Sequence, residues 1–332
     1  MRSHFMRSQG MMDTTRRPSR TRQRLARTCT ALLLAVGAAA PAMAQTDPTP
    51  FCGDDGVWIQ ILGGGGPEIT DGQASASYVV FQDNAARLLV DTAPGSSAAF
   101  DRAGAAFRDL DAIVFTHLHA DHAAAFPAFV KGSYFLDRDR PLPVLGPDGD
   151  GVYPDTVSFV DRMIGPEGAF AYLSDFLTFR SSGGYKINPR NVPAAGRGLW
   201  SGFSSDNLKL AAIPVHHGPV PALAWRVEIG DMTIVFTGDF NNQKDLVADF
   251  AQGADALVIH HAIPEGARGT ARDLHVTPGQ IGRIASQAGV RMVVLGHRMN
   301  RTRGLESITR AAIEEHYQGP LIFANDLECW GL

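Results

Sequence analysis

Ala112-Ile113-Val114-Phe115-Thr116-His117-Leu118-His119-Ala120-Asp121-His122 runs from an apolar, β-branched segment straight into three imidazoles and a carboxylate. A run such as Ala112 to Phe115 reads as a buried strand, so the polar cluster sits at a strand's end. Neutral imidazoles and a carboxylate crowded at the mouth of a sheet are a donor set for divalent metal. The alternative, a polar turn with incidental histidines, explains one such residue far better than three at this spacing.

Upstream of this stretch, Val57 to Leu62 reads as a strand that enters Gly63-Gly64-Gly65-Gly66-Pro67. No helix pattern and no Lys-Ser/Thr pair follow, so a phosphate-binding loop is not indicated, and a tight turn with close backbone approach is. Tyr78 to Phe81 and Arg87 to Asp91 read as further strands, and Ser97 to Arg108 has helical spacing. Ala123 to Val130 reads as a short helix. Downstream, strands are expected over 208–215, 224–229, 233–237, 256–259, 292–295 and 321–324, and helices over 242–250, 278–288 and 306–316. Two strand groups, each followed by helices, suit two packed sheets covered outside by helices, an α/β class. Between them, residues from about 131 to 207 are rich in turns and aromatics (Phe159, Phe170, Tyr172, Phe176, Phe179, Tyr185, Trp200, Phe203). Such an insertion serves either as a lid over a small, partly apolar substrate or as a subdomain whose aromatics are its own core.

The first 44 residues differ from the rest. Arginines at 16, 17, 20, 22, 24 and 27 precede Ala31 to Gly37, and Ala42-Met43-Ala44 follows, the layout of a secretory signal peptide cleaved after Ala44. The expected products are one mature domain over 45–332 and a periplasmic or secreted location. The apolar run is too short to span a membrane, so no stable membrane insertion is expected. The chain is formally −4; residues 1–44 carry eight Arg and one Asp, which leaves the remainder at −11. An acidic chain lacks the basic footprint of generic nucleic-acid binding, so a small-molecule substrate and no nucleic-acid partner are expected, with a homodimer allowed for. Cys52 and Cys329 survive cleavage and are either a disulfide joining the two ends or two separate thiols.

Of eleven histidines, nine fall where strands are expected to end: His117, His119, His122, His216, His217, His260, His261, His275 and His297. Gly238-Asp239 ends another strand. Ligands at the same end of several strands would converge on one rim.

These residues resemble the metallo-β-lactamase fold superfamily. Residues 116–122 look like its H-x-H-x-D-H motif, Gly238-Asp239 like its strand-end aspartate, and Gly296-His297 like its last histidine. The match is closest to the ribonuclease Z and arylsulfatase-like branch and covers nearly all of residues 57–328. The resemblance implies an αββα four-layer sandwich and a site for two divalent ions, Zn2+ first. One ion would take His117, His119 and His217 (or His216), the other Asp121, His122 and His297, with Asp239 between them. It further implies hydrolysis by a metal-bound hydroxide, on a phosphodiester or aryl sulfate ester first and a lactone, lactam or thioester second. A metal-binding protein without hydrolysis, or an iron-dependent redox enzyme, is the alternative of another class. Asp121 would accept a proton, and His275, or His261 in its place, would protonate the leaving group. Asp91 and Asp111 are candidates to orient a ligating histidine. Two departures matter. His261 stands where the branch has Glu, and only Gly218 to Gly238 separate His217 from Asp239, where tRNA-processing members carry a long arm.

Overall fold

Strand after strand is laid down in two blocks, one sheet each. The first sheet takes β1 (Val57–Gly63), β2 (Ser77–Gln82), β3 (Ala85–Val90), β4 (Ala112–Val114), β5 (Leu142–Pro147) and β6 (Ile187–Val192). The second takes β7 (Trp200–Ser204), β8 (Leu208–His217), β9 (Val220–Ile229), β10 (Met232–Phe236), β11 (Ala256–His260), β12 (Met292–Gly296) and β13 (Leu321–Phe323). The last strand, β14 (Cys329–Gly331), crosses back and pairs antiparallel with β1. Strand orders are β14-β1-β2-β3-β4-β5-β6 and β13-β12-β11-β10-β9-β8-β7. This computed structural model describes residues 53–178 and 184–332. The expected signal peptide, Cys52 and Phe179 lie outside the described residues.

Three apolar layers follow from the alternation of side chains along each strand. Ile59, Ile61, Val80 and Leu88 of the first sheet meet Leu210, Trp225, Phe236 and Val258 of the second in a core between the sheets. Trp58, Leu62, Phe81 and Ile113 turn outward onto Phe100, Phe126, Phe129 and Val160. Val235, Leu257, Ile259 and Leu295 turn outward onto Ile281, Ile284, Ala285 and Ile313. The result is the αββα sandwich. The helix Pro278–Ala288 shows how locally this is written: Thr277 and Gln280 form a capping box, Pro278 opens the helix, and Gly289 closes it at φ +61°.

Several expected elements are shorter than their sequence pattern. The helix expected over 97–108 ends at Arg102, because Gly104 turns to φ +70° and only a short 3-10 turn follows at Phe107–Asp109. That expected over 242–250 forms only at Val247–Phe250, since Asn242 and Asp245 adopt φ +61° and +49°. The segment 131–207 supplies β5 and β6 to the first sheet and β7 to the edge of the second. Phe176 and Tyr185 are buried in the outer core, whereas Tyr172 and Phe170 are exposed. Among the described residues, no helix is long and apolar enough to cross a membrane.

One buried side chain ties the sheets together beside the ligand loop. Trp225 on β9 is fully buried, and its Nε1 donates to the carbonyl of Phe115 at 2.9 Å, immediately after β4. Trp225→Phe leaves that carbonyl without its partner and should lower stability by roughly 1–3 kcal/mol. Urea unfolding of the two proteins checks this.

Candidate metal centre

The described polar residues at the rim come from strands that run the same way. In the first sheet β3, β4 and β5 are parallel neighbours; in the second, β10, β11 and β12 are, with β8 aligned to them through the antiparallel β9. Their C-terminal ends carry Asp91, His117, His217, Asp239, His260 and His297. Three of these exits pass through the left-handed region, at Asp91 (φ +58°), Gly238 (φ +58°) and His297 (φ +53°). At Gly238 a Cβ would lie 2.6 Å from the Cβ of Thr116, so glycine is required twice over. At Asp91 the strain, of order 1–3 kcal/mol, is offset by three hydrogen bonds. Thr116 donates through its backbone N (2.7 Å) and Oγ1 (2.8 Å), and His122 donates through Nδ1 (2.8 Å).

Those bonds fix which nitrogen of each histidine faces inward. With Nδ1 held by Asp91, His122 turns Nε2 into the site, 3.4 Å from Asp121 Oδ2 and 3.9 Å from Asp239 Oδ2. His217 donates from Nδ1 to the carbonyl of Leu274 at 3.1 Å, leaving Nε2 3.6 Å from Asp239 Oδ2. His297 Nε2 lies 3.2 Å from Asp121 Oδ2 and 3.5 Å from Asp239 Oδ2. His117 Nε2 and His119 Nδ1 are 3.0 Å apart. Ring nitrogens of His117, His119 and His217 fall within 4.8 Å of one another, as do ligand atoms of His122, Asp239, His260 and His297, and of His217, Asp239 and His275. Asp239 is common to the last two groups, and His217 links them to the first.

Burial and mutual charge set the protonation of the group. Burial would raise the Asp239 carboxyl, but the charges of His297 and His275 and the hydrogen bond from His260 hold it well below the usual range. Burial would likewise raise Asp121, and the His122 imidazole beside it together with the hydrogen bond from His297 outweighs that. Burial opposes charge on His122, yet the carboxylate of Asp121 beside it and the bond to Asp91 carry it well above an ordinary histidine. Burial pushes His117 down, and takes His260 and His261 to about 4 and His275 to about 3.

The donor set fits divalent cations. His122 Nε2 is buried without a hydrogen-bond partner, 3.4 Å from Asp121 Oδ2 and 3.9 Å from Asp239 Oδ2. Five or more imidazoles with two carboxylates suit zinc or a similar borderline metal.

The structure gathers His117, His119, Asp121, His122, His217, Asp239, His275 and His297 on this rim. Two expectations need correction. His261, the alternative proton donor, follows His260 and so points to the opposite face of the strand end, where its Nε2 meets Thr309 Oγ1 at 3.1 Å. Asp111 orients no histidine; it pairs with Arg140 and accepts from Asn207 Nδ2 at 2.8 Å. His216 points away from His217 and lines a small cavity with Asp148 and Lys244. The sequence places His260 at a strand end among the candidate ligands but assigns it no role of its own; it bonds Asp239 Oδ1 at 2.7 Å. Its signal was present, as an imidazole at a strand end level with Gly296.

Residues 86–298 match the family described as the Beta-lactamase superfamily domain. A ribonuclease Z from Mycobacterium bovis is 27% identical over 282 residues, covering 81% of this chain and 96% of its own. The metallo-beta-lactamase fold protein YhfI from Bacillus subtilis superposes with a TM-score of 0.64 at 20% identity, over 83% of this chain and 99% of its own. The short form of human tRNase Z superposes with a TM-score of 0.61 at 16% identity, over 82% and 98%. These relatives overturn the expectation that nucleic acid is not a partner. The physical ground for it was a whole-chain charge, whereas a phosphodiester is gripped locally at a cation site, and the two need not share a sign.

The depressed histidines have a consequence for the metal-free protein. A histidine whose folded value lies below its unfolded one, about 6.5, binds protons preferentially when unfolded. Stability should be full above about pH 6.5 and fall as pH drops toward 4, through His260, His261 and His275. Urea midpoints measured in chelator across that range check it; a flat profile contradicts the assignment.

Proposed function

The chain belongs to the beta-lactamase superfamily, a family of metal-dependent hydrolases, and from that membership we propose that it cleaves phosphodiesters, RNA among them. The observation that carries this is the convergence of three imidazoles on one side of Asp239 (His117, His119, His217) and of Asp121, His122 and His297 on the other. The ribonuclease Z relatives favour a phosphodiester over a sulfate ester, lactone, lactam or thioester.

In this reading the two groups hold one divalent ion each and share Asp239. Bound there, the ions supply Lewis acidity at the scissile ester and lower the pKa of a water toward neutrality. The rest falls to the chain. Asp121 Oδ2, the more exposed of the two carboxylates, accepts the proton of the attacking water. Asp91 keeps His122 in the Nδ1–H tautomer, and the Leu274 carbonyl does the same for His217. His275 sits with Nδ1 3.9 Å from Asp239 Oδ2; beside the anionic diester it takes up a proton from solvent and passes it to the departing oxygen.

Purified protein with measured metal content, offered RNA, bis-p-nitrophenyl phosphate, p-nitrophenyl sulfate, a lactone and a cephalosporin, tests the reading. Turnover of the diesters that disappears with chelator and returns with Zn2+ is expected; turnover only of the lactam or lactone overturns it. Asp239→Ala should lose metal and activity together. His275→Ala should keep its metal and lose about 100-fold or more in kcat, least on substrates with good leaving groups.

Export and a disulfide belong to the same proposal. Cleavage after Ala44 places the enzyme outside the cytoplasm, and Cys52 then joins Cys329, which is buried on β14. Intact mass of the exported protein should begin at residue 45 and rise by about 2 Da on reduction; an unprocessed chain or an unchanged mass contradicts this.

A further inference from the structure

The two oxygens of Asp239 are treated differently. Oδ2 faces His297 (3.5 Å), His217 (3.6 Å), His122 (3.9 Å) and His275 (3.9 Å). Oδ1 is taken by His260, whose Nδ1 lies 2.7 Å away. On the other side of the same ring, Nε2 lies 3.4 Å from the hydroxyl of Tyr78. With the proton on Nδ1, His260 donates to Asp239 and accepts from Tyr78. Both nitrogens are then engaged within the protein. His260 has no lone pair left for an ion, although it lies within 4.8 Å of His122, Asp239 and His297.

Tyr78 reaches this position from the opposite sheet. It sits on β2, 1% exposed, with its ring 5.5 Å from that of Phe236 and 6.2 Å from that of His260. Its hydroxyl occupies the space above Gly296, where a Cβ would stand 1.8 Å from the oxygen. No other residue at 296 would leave room for it. A glycine directly before His297 and a tyrosine spanning the inter-sheet core therefore serve one contact.

We propose that Tyr78 and His260 are positioning residues that hold Asp239 by Oδ1, so that Oδ2 alone is presented to both ion sites. The inference rests on the reading that the two groups hold metal. A carboxylate free to rotate can close both oxygens on one ion and leave the other site a ligand short. The tether from the first sheet prevents that rotation.

The test compares the whole protein with Tyr78→Phe, His260→Asn and His260→Ala. Zinc per chain is measured at saturation, zinc affinity by competition with a chromogenic chelator, and the visible absorption of the Co2+-substituted forms alongside. All should bind two ions at saturation. His260→Ala should weaken affinity by about 10–100-fold, the usual effect of losing a partner that orients a metal ligand. His260→Asn, whose side-chain amide can donate in place of Nδ1, should recover most of the loss. Tyr78→Phe keeps the ring and loses only the hydroxyl; its affinity should fall to an intermediate value with the thermal midpoint nearly unchanged. It carries the test alone if His260→Ala does not fold. Unchanged affinity in Tyr78→Phe overturns the relay, as does His260→Asn binding no better than His260→Ala. Loss of one ion outright in His260→Asn, with an altered Co2+ spectrum, would make His260 a ligand and also overturns it. A wild-type chain that never reaches two ions defeats the metal reading itself, which is a different result.

Discussion

A carboxylate cannot be left uncompensated in a protein interior, and Asp239 is buried between two sheets. Its neighbours are what make it tolerable: one imidazole on Oδ1 and four around Oδ2. Those imidazoles are far apart in sequence, from His122 to His297. They can only meet if several strands end together, and strands end together only when they run parallel. The parallel centre of each sheet, the left-handed exits at Asp91, Gly238 and His297, and the close packing of glycines against the ligand loops all follow from that requirement. The helices outside and the aromatic core between the sheets hold the rim in place.

Much of this is written locally, and that part is readable. The helix Pro278–Ala288 carries its own start and stop in Thr277, Pro278 and Gly289, and its bounds are those expected from the sequence. The strands carry apolar runs of the right length, and the His-x-His-x-Asp-His cluster announces a donor set. What the pattern does not carry is direction. His260 and His261 are chemically identical neighbours; one bonds Asp239 and the other Thr309, and only the facing of β11 decides which. The same holds for Asp91 and Asp111, two carboxylates beside strands, of which one meets His122 and the other an arginine.

Composition misled in two places for a common reason. The aromatic density of 131–207 suggested a separate element, yet three of its segments are sheet strands and its buried aromatics fill the layer beneath the outer helices. Overall acidity suggested that RNA is no partner, yet the relatives are ribonucleases. A sum over many residues says little about the few that do the work.

The return of β14 to β1 bears on how the molecule comes to exist. Trp58 pairs with Gly331, and Leu332 donates to the carbonyl of Val57, so the first and last strands are neighbours. Pairings of such long sequence separation are slow to find, because the whole intervening loop must be closed first. During synthesis the ligand loop at 117–122 emerges long before His297, and β1 waits with an open edge until the final strand arrives. A growing chain thus holds an incomplete chelate and an unprotected sheet at the same time. Both are resolved only when His297 and then β14 take their places.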